Sequence, residues 1–591
     1  MNIGAGRPWI EVDGELRTDL GEPVTTDEVT TRLQTDRDLL KVELPTLRFS
    51  PIALEPIVRM SGTFPDGIVL EYGLKKNGIF HAVGATRDNV ILGVTWHPIN
   101  LVSRALLLDE LSSVPCDIGA IDAESSIKLS AALAGSARFS DEVERSEAII
   151  WATSGSKDAV PDQLNAELYP YQIVGLQALR KLAEHNVGAI LADQMGLGKT
   201  LQAIALMTAL EPLKQVLVVV PASLIENWIR ELAQFAPTLK VLAHFGSNRV
   251  GLASHFEGID VIVTTYETVI ADLHLLSDVT WDLVVLDEAQ KIRNPSSQRA
   301  IATKMLPRRL GVAVTGTPVE NSLRDLWSLS EFILPSLLGG LTAFEQQFPD
   351  EVEAAMRLGR IVAPLTIRRH VAEVAGDLPE KVEILKSFTL PASERSIYME
   401  IESKGSAFET NTECRVACAH ASKSALLGSS AFASMPKVEH LSDLLAEIFV
   451  RGESALIFGS FSLSLIRLKD YLGTIFPRNH FAILDGSVAA GERQLAVDTF
   501  TENRRPGVLL LNPQVGGVGL NITAANHVVH FNPEYNPAVT EQATARAYRR
   551  KQELPVFVHH LYYSNTVEES AVAIADAKRA VAQGVDHGVR E

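Results

Sequence analysis

Cysteine is scarce in this sequence, with three residues among 591: Cys116, Cys414 and Cys418. So few thiols exclude a disulfide scaffold and favour a reducing compartment. No run of 18 or more apolar residues occurs, so we expect no membrane-spanning helix, and residues 1–10 lack the basic and apolar segments of a secretory signal. With 46% hydrophobic and 21% charged residues, the chain can bury large cores. These numbers predict a soluble intracellular protein of about three or four domains.

An excess of basic residues is absent as well. The formal net charge is −18, from 54 Lys and Arg against 72 Asp and Glu, and residues 1–150 alone contribute −9. Net charge governs solubility and non-specific association, whereas a nucleic-acid groove requires only a local basic lining. The acidic total therefore leaves a nucleic-acid partner open.

Residues 1–152 have the pattern of a separate accessory domain. Short apolar strand-like runs precede a helix-like segment, and the Asn77-Gly78 pair between two runs predicts a hairpin because both residue types tolerate positive φ. The segments are residues 69–72, 79–83 and 90–96 for the strands and residues 101–111 for the helix. No chemical motif stands out, so we expect a small α+β domain, followed by a polar linker at 153–162.

Beyond the linker, apolar β-branched runs alternate with helical segments. Such alternation is typical of parallel strands buried on both faces of a sheet. The runs are residues 189–192, 216–220, 261–265, 283–286 and 312–314 in a first group, and 455–458, 482–484, 508–511, 528–531 and 556–559 in a second. We therefore predict an α/β fold with two parallel-sheet lobes, at 163–335 and 446–580, joined by a mostly helical region at 336–445.

Residues 193–200, Asp-Gln-Met-Gly-Leu-Gly-Lys-Thr, come directly after one of these runs and open a helix. Gly196 and Gly198 let the backbone approach phosphates closely, and the N–H groups at the start of the helix point at them. Lys199 would hold the β- and γ-phosphates, and the Thr200 hydroxyl would bind Mg²⁺. The first position, glycine in the general P-loop pattern, is aspartate here. The loop residues assigned to nucleotide binding are Asp193, Met195, Gly196, Gly198, Lys199 and Thr200.

An acidic pair, Asp287 and Glu288, follows the apolar run at 283–286. Ligands collect at the carboxyl ends of the strands in open α/β sheets, which is where both carboxylates are expected. Asp287 would hold Mg²⁺, and Glu288 would orient and deprotonate the attacking water. Together with the P-loop, the pair predicts ATP hydrolysis.

These motifs, with residues 291–295 and Thr-Gly-Thr-Pro-Val-Glu-Asn at 315–321, resemble those of the Swi/Snf-type ATPases, which are DNA translocases of helicase superfamily two. The resemblance extends from Leu168 to Glu569. It implies two RecA-like lobes, ATP and Mg²⁺ as cofactors, and double-stranded DNA as partner. The Asp-Glu-Ala-Gln form at 287–290 and the short connections favour a bacterial member acting in transcription, repair or defence against foreign DNA.

Further motifs of the family are matched in the first lobe. Residues 168–172, Leu-Tyr-Pro-Tyr-Gln, resemble the segment whose glutamine reads adenine, which implies that role for Gln172. Residues 221–228 resemble the motif that follows one DNA strand, which implies a nucleic-acid contact at Ser223. The Thr-Thr-Tyr motif couples DNA contact to the nucleotide site in this family, and it implies a contact at Thr265.

The second lobe continues the resemblance. Its Leu-Asp-Gly-Ser motif resembles one that contacts a DNA strand, which implies such a contact at Gly486. The glycine-rich motif at 515–521 resembles one at the cleft between the lobes. It implies a nucleic-acid contact at Gly517 and nucleotide contacts at Gly519 and Asn521.

Residues 542–549 resemble the final motif of the family, which supplies arginine fingers. The resemblance gives this role to Arg546 and Arg549, whose spacing of three predicts one shared helix face. The family has aspartate before the first arginine and Ile-Gly after the second, where this chain has Ala545 and Arg-Lys. Because both arginines are kept, we expect hydrolysis to be intact while coupling between the lobes differs.

Two groups of residues have more than one interpretation. Cys414, Cys418 and His420 are close in sequence but supply too few ligands for zinc, so packing is favoured. Arg368 and Arg369 match paired arginines of the family, and they either contact phosphate or brace the lobes through a salt bridge.

The sequence thus predicts an ATP-dependent translocase on double-stranded DNA. A strand-separating helicase, or an RNA-directed motor on the same lobes, is one alternative because the ATP motifs are shared. A different alternative is an ATP-gated switch that clamps DNA or a protein without processive motion. An unrelated P-loop kinase or transporter ATPase would have no reason to carry the motifs at 515–521 and 542–549. We expect the acidic residues 1–152 to contact a protein or restrain the motor, and the chain to be cytoplasmic and nucleoid-associated in a bacterium, or nuclear in a eukaryote.

Overall fold

The computed structural model describes residues 8–112, 114–145, 160–210, 215–374, 378–404, 407–420, 432–484, 490–503, 505–513, 522–549 and 552–590. The chain divides into two compact units. One contains residues 1–152 with the short pieces 181–187 and 336–340, and the other contains the rest of the chain. Across the described residues, no helix is both long and apolar enough to span a bilayer.

The first unit is an α+β arrangement of short strands and helices. Its elements are β1 (Trp9–Val12), β2 (Glu15–Thr18), α1 (Thr26–Thr35), α2 (Arg37–Glu43), β3 (Arg48–Phe49), β4 (Pro56–Thr63), β5 (Ile68–Lys76), β6 (Ile79–Ala82), β7 (Asn89–Leu92), β8 (Thr95–Pro98), α3 (Leu101–Ser112), β9 (Gly119–Ile121), α4 (Ala123–Ala132) and β10 (Phe139–Glu144). The largest sheet has the order β10-β4-β5-β6, with β9 also paired to β5. The order β3-β8-β7 and the pair β1-β2 form two smaller sheets.

The hairpin predicted at Asn77-Gly78 is confirmed. Strands β5 and β6 run antiparallel on either side of the pair, and φ is +53° at Asn77 and +82° at Gly78. The helix predicted at residues 101–111 is confirmed as α3, Leu101–Ser112. The single strand predicted at 90–96 is wrong, because Gly93, with a φ of +63°, lies in a turn that divides it into the antiparallel strands β7 and β8.

The second unit begins with a lobe built around a seven-stranded sheet. Its elements are α5 (Pro170–Glu184), β11 (Ala189–Leu191), α6 (Lys199–Ala209), β12 (Val216–Val220), α7 (Ile225–Phe235), β13 (Val241–His244), β14 (Val261–Thr265), α8 (Tyr266–Ala271), α9 (Leu273–Ser277), β15 (Trp281–Asp287), α10 (Gln298–Met305), β16 (Arg308–Val314), α11 (Leu323–Ile333), α12 (Leu341–Gln347), α13 (Val352–Val362) and β17 (Thr366–Ile367). The strand order is β13-β14-β12-β15-β16-β11-β17, and all neighbours are parallel. We call this lobe 1.

The rest of the unit, lobe 2, is built around a six-stranded sheet. Its elements are α14 (Val371–Val374), β18 (Lys381–Phe388), α15 (Ala392–Lys404), α16 (Ala407–Cys418), α17 (Pro436–Val450), β19 (Ala455–Phe458), α18 (Ser462–Ile475), β20 (His480–Leu484), α19 (Ala490–Glu502), β21 (Gly507–Leu511), β22 (His527–His530), α20 (Pro537–Thr544), β23 (Val556–Tyr563) and α21 (Val567–Arg590). The strand order is β18-β23-β22-β19-β21-β20, again with all neighbours parallel.

The predicted pair of parallel sheets is confirmed, and each predicted apolar run forms one of these strands. Strands β12, β14 and β21 are buried at all five of their positions, as expected for sheets covered on both faces. The region at 336–445 is mostly helical, but it also supplies β17 to the first sheet and β18 to the second. The sequence pattern predicts neither of these strands, nor β13.

Cys414 and Cys418 lie in the core of lobe 2, in agreement with the packing interpretation. Both thiols are buried in a cluster with Tyr398 and Tyr563. Burial raises the pKa of both, that of Cys418 to about 12, which keeps the thiols protonated. His420 belongs to the same core, because its Nε2 lies 2.9 Å from the Tyr563 hydroxyl.

Candidate active site

The P-loop connects the end of β11 to α6, which begins at Lys199. Gly196 and Gly198 have φ values of +91° and +73°, a left-handed conformation that residues with a Cβ rarely adopt. A Cβ on Gly198 would also lie 2.5 Å from Nε2 of Gln172. The loop therefore requires glycine at both positions. Together with the first N–H groups of α6, which have no acceptor within the helix, it fits a phosphate group.

Two other residues with predicted nucleotide contacts lie against this loop. Gln172 is buried, and its Nε2 donates to the main-chain oxygen of Leu197 at 3.1 Å. Met195 packs beside Gly316, where an added Cβ would lie 2.8 Å from the Met195 Cγ. The contact of Gln172 with adenine stays a prediction.

The Lys199 side chain lies in an acidic environment. Its Nζ donates to the main-chain oxygen of Asp193 at 2.9 Å. Burial lowers the pKa of the amine, whereas the carboxylates of Glu288, Asp193 and Asp287 raise it. A cation at the start of the helix is suited to balance the charge of bound phosphates.

Asp287 is the last residue of β15, and three hydrogen bonds hold it. The Trp228 Nε1 donates to Oδ2 at 2.7 Å, the Glu288 N–H donates to Oδ1 at 2.9 Å, and the Tyr266 hydroxyl donates to the main-chain oxygen at 2.8 Å. Burial and the charge of Glu288 raise the pKa of Asp287 to about 6. Carboxylate and hydroxyl oxygens are the ligands that Mg²⁺ prefers, so Asp287 and Thr200 fit the predicted metal.

An uncommon backbone conformation and a hydrogen bond from Gln290 fix the orientation of the Glu288 side chain. Its φ is +49°, a left-handed value that is uncommon for a residue with a Cβ and is often found at functional sites. Its Oε2 accepts from Nε2 of Gln290 at 2.6 Å, and Oε1 of Gln290 accepts from the Thr315 hydroxyl at 2.9 Å. This chain of hydrogen bonds links the predicted general base to the motif at 315–321.

The Asp193 carboxylate is engaged by a buried arginine. Arg369 forms an ion pair with it, with Nε at 2.8 Å from Oδ1, and Nε2 of Gln202 donates to Oδ2 at 2.9 Å. Arg369 also donates to Oε1 of Gln202 at 2.6 Å. The Asp193 side chain therefore fixes the first position of the P-loop to Arg369. These partners all belong to lobe 1, so the ion pair holds Arg369 beside the P-loop. A role of this arginine in bracing the two lobes, or in contacting phosphate, stays a prediction.

Arg368 forms an ion pair with the last helix of the chain. Its guanidinium donates to the main-chain oxygens of Ala192 at 2.8 Å and Gly316 at 3.0 Å. Its Nε lies 2.6 Å from Oδ1 of Asp586, which belongs to α21. For Arg368 this ion pair favours the bracing interpretation, because it ties α21 of lobe 2 to two segments of lobe 1 beside the P-loop.

The prediction that Arg546 and Arg549 share a helix face is wrong. Helix α20 ends before them, and both residues lie in the turns that follow. The main-chain oxygen of Arg546 accepts from the Ile522 N–H at 3.0 Å, and that of Ala547 accepts from the Gln552 side chain at 3.2 Å. The main-chain oxygens that follow α20 are thus bonded to Ile522 and to the Gln552 side chain.

Both arginines lie at the nucleotide site despite this difference. Arg546 is 4% exposed, and burial lowers its pKa to about 10 while the charge of Glu288 raises it. A Cβ on Gly196 would lie 3.5 Å from the Cβ of Arg549. Glu231 of α7 is the charge that raises the pKa of Arg549, against the lowering effect of burial. Lobe 2 thus brings Arg546 close to the charge of Glu288 and places Arg549 against the P-loop of lobe 1.

A cleft of about 580 Å³ lies between the two lobes, and its lining contains three basic side chains and two carboxylates, those of Glu288 and Glu320. Its lining residues include Ser223, Lys291, Arg293, Arg299, Asn536 and Gln542. Thr265 is not among these lining residues. Its hydroxyl accepts from the Thr268 N–H at 3.0 Å and caps α8, and its contact with nucleic acid stays a prediction. The predicted contact residues Gly486, Gly517, Gly519 and Asn521 lie outside the described residues.

Glu320 is a functional candidate that lies in the motif at 315–321, although the sequence assigns it no role of its own. Its Oε1 accepts from the Thr317 hydroxyl at 3.0 Å, and its Oε2 accepts from Nδ2 of Asn536 at 3.0 Å and pairs with Arg293. Asn536 caps α20 of lobe 2, so this buried carboxylate joins the two lobes. The two partners are 216 residues apart, and no local pattern reports such a contact.

The fold and the site together define the class of protein to which this chain belongs. Two parallel-sheet lobes face each other, the first with a P-loop and an acidic pair and the second with two arginines at the same site. This is the arrangement of a two-lobed P-loop protein with RecA-like lobes.

Comparison with known proteins narrows this class. The SNF2-related domain matches residues 171–431, and the helicase conserved C-terminal domain matches residues 436–551. The "Putative ATP-dependent helicase/translocase YwqA" of Bacillus subtilis is 35% identical, with 71% of this chain and 49% of that protein covered. The mouse "SWI/SNF-related matrix-associated actin-dependent regulator of chromatin subfamily A member 1" is 31% identical, with 70% and 42% covered. The chain belongs to the SNF2-related family.

A solved structure is also similar in sequence. The Sulfolobus solfataricus SWI2/SNF2 ATPase core in complex with dsDNA is 30% identical, with 72% of this chain and 95% of that chain covered and a TM-score of 0.38. The chain spans about half the length, or less, of the curated relatives it matches.

Proposed function

We propose that this chain is an ATP-dependent translocase on double-stranded DNA, with ATP and Mg²⁺ as cofactors. The observation that carries the proposal is the division of the site between the lobes. Lys199 and Glu288 belong to lobe 1, whereas Arg546 and Arg549 come from lobe 2. Hydrolysis then requires the lobes to close. Because the basic cleft lies between the same two lobes, its shape changes when they close. The names of the relatives, a helicase/translocase and a regulator of chromatin, support the same class of activity.

The nucleotide end of the site would work through residues of lobe 1. Lys199 and the N–H groups of α6 would hold the phosphates. Asp287 and Thr200 would hold Mg²⁺, which offsets the negative charge of the phosphates when it is bound. Glu288, oriented through Gln290, would accept a proton from the attacking water.

The arginines of lobe 2 would complete the site. Arg546 and Arg549 would stabilise the negative charge that develops on the γ-phosphate during hydrolysis. Arg546 is buried and Arg549 is half-buried, and electrostatic interactions are stronger where water is excluded. Glu320, bonded to Asn536 of lobe 2, would hold the lobes together in this state.

The cleft lined by Ser223, Lys291 and Arg299 would take the DNA backbone. Contacts of this kind go to phosphate, so affinity would fall with salt and would carry little sequence information. Each time the lobes close and reopen, the DNA contacts of one lobe would move along the duplex relative to those of the other lobe.

The first unit would act outside this cycle. Because residues 1–150 carry a net charge of −9, we propose that they contact a protein or restrain the motor rather than bind DNA. In a bacterium, the proposed substrate would place the protein at the nucleoid.

Hydrolysis of ATP by the purified chain tests the proposal. We expect duplex DNA to raise the rate well above that without nucleic acid and above that with matched single-stranded DNA or RNA, and added salt to reduce the stimulation. Preferential stimulation by a single strand or by RNA would contradict a duplex translocase and favour a helicase or an RNA-directed motor. The absence of stimulation, both in the full chain and after deletion of residues 1–150, would also contradict it.

A further inference from the structure

The indole of Trp228 makes an unusual contact for a core residue. Trp228 is 1% exposed, and its Nε1 donates to Oδ2 of Asp287 at 2.7 Å. A buried indole needs one acceptor, and a main-chain oxygen is sufficient. Trp281, which is also fully buried in lobe 1, donates in that way to the main-chain oxygen of Leu276 at 3.0 Å. Trp228 instead uses the carboxylate that is expected to bind the metal.

This hydrogen bond fixes how the carboxylate is turned. The carboxyl group of an aspartate rotates easily about its last bond, because that torsion has broad minima. In Asp287 each oxygen accepts one N–H, Oδ1 from Glu288 and Oδ2 from Trp228. The Tyr266 hydroxyl holds only the main-chain oxygen of Asp287. Without the indole, one bond from a neighbouring residue would be left to set the plane of the carboxylate.

Trp228 is also close in sequence to a residue that lines the basic cleft. It lies on α7, directly after the short 3-10 helix Ala222–Leu224. That short helix contains Ser223, which lines the basic cleft. The six residues from Ser223 to Trp228 therefore line the cleft at one end and contact the carboxylate at the other.

We propose that Trp228 is a positioning residue that orients Asp287 for the Mg²⁺ of the nucleotide. This inference rests on the proposed function, because it assumes that the site takes Mg²⁺ with ATP. Residues that hydrogen-bond to metal ligands typically contribute roughly 10- to 100-fold to metal affinity. Trp228 thus affects how strongly Mg²⁺ promotes nucleotide binding, and it leaves binding of the metal-free nucleotide unchanged.

Nucleotide binding by W228F tests this inference without reference to hydrolysis. Phenylalanine keeps most of the ring but lacks the N–H donor. The probe is a fluorescent N-methylanthraniloyl derivative of ATP, titrated in EDTA and then at increasing Mg²⁺ concentrations. We expect W228F to bind the probe in EDTA like the wild type, and to need roughly 10- to 100-fold more Mg²⁺ for half of the Mg²⁺-dependent gain in affinity.

The matched control is W281F, which removes the other buried indole of lobe 1 and should retain the Mg²⁺ requirement of the wild type. A Mg²⁺ requirement of W228F equal to that of the wild type would overturn the inference and leave the proposed function in place. If the wild type itself gained no affinity from Mg²⁺, the proposed function would fail first. The two failures are therefore distinguishable.

A measurement on the unmodified protein covers the case in which W228F does not fold. The chain has six tryptophans, and their indole N–H groups give separate ¹H–¹⁵N signals. An indole bonded to a carboxylate at 2.7 Å gives a strongly deshielded proton. We expect that signal to shift when Mg²⁺ is added to the nucleotide-bound protein. No shift of any indole signal would overturn the inference.

Discussion

Replacing Lys199 by alanine is expected to lower ATP turnover by about 10²- to 10³-fold. Lys199 is the first residue of α6 and is half-buried, its amine interacts with the carboxylates of Asp287 and Glu288, and it is a cation that lobe 1 offers to the phosphates. Removing the amine takes away a positive charge that would stabilise the transferred phosphate. The negative charges of Asp287 and Glu288 are then no longer balanced, and they repel the nucleotide. Steady-state hydrolysis with saturating duplex DNA measures the effect.

The control for this variant is Lys240→Ala, which removes an exposed lysine of the same lobe. It should hydrolyse ATP like the wild type, and both variants should have the thermal unfolding midpoint of the wild type. Undiminished hydrolysis by Lys199→Ala in a preparation free of other ATPases would contradict the P-loop assignment.

Replacing Arg549 by alanine is expected to lower turnover by about 10³- to 10⁵-fold, the effect of arginine fingers in other phosphoryl-transfer enzymes. Arg549 comes from lobe 2 yet lies against Gly196 of the P-loop. A cation that reaches the site across the gap between the lobes acts when they are closed, so nucleotide affinity in the ground state should change little. Parallel measurements of turnover and of the dissociation constant for a fluorescent ATP analogue separate the two quantities.

Arg505→Ala is the matched control, because it removes an exposed arginine of lobe 2. It should leave both quantities unchanged. A loss of nucleotide affinity in Arg549→Ala that accounts for its whole loss of activity would assign Arg549 to ground-state recognition instead of catalysis.

The sequence predicts the central strands of both sheets and misses three of their four edge strands, for a physical reason. Central strands such as β12 are buried on both faces and consist of apolar residues throughout. The missed strands β13, β17 and β18 lie at the edges of the two sheets. Most positions of β18 are exposed, and its residues Lys381–Phe388 alternate charged and apolar types. Edge strands do not need a continuous apolar run, so the pattern that reveals the centre is absent from them.

The residues of the candidate site also divide into those that the sequence predicts and those that it misses. Residues of the P-loop and the acidic pair are predicted because their chemistry depends on neighbours in sequence. Contacts such as Trp228 with Asp287, or Glu320 with Asn536, join segments that are 59 and 216 residues apart, and only the folded chain brings them together. The spacing of Arg546 and Arg549 predicts one shared helix face, but helix α20 ends at Thr544, before both residues.

Displacement of a third DNA strand tests the central proposal, duplex translocation, most directly. A labelled oligonucleotide forms a triplex at one end of a linear duplex, and a translocase that moves along the duplex removes it without separating the other two strands. We predict that the wild type with ATP and Mg²⁺ releases the third strand, more slowly from longer duplex tracks, and that Lys199→Ala does not. Duplex-stimulated hydrolysis without any release of the third strand would contradict translocation and would favour an ATP-gated clamp.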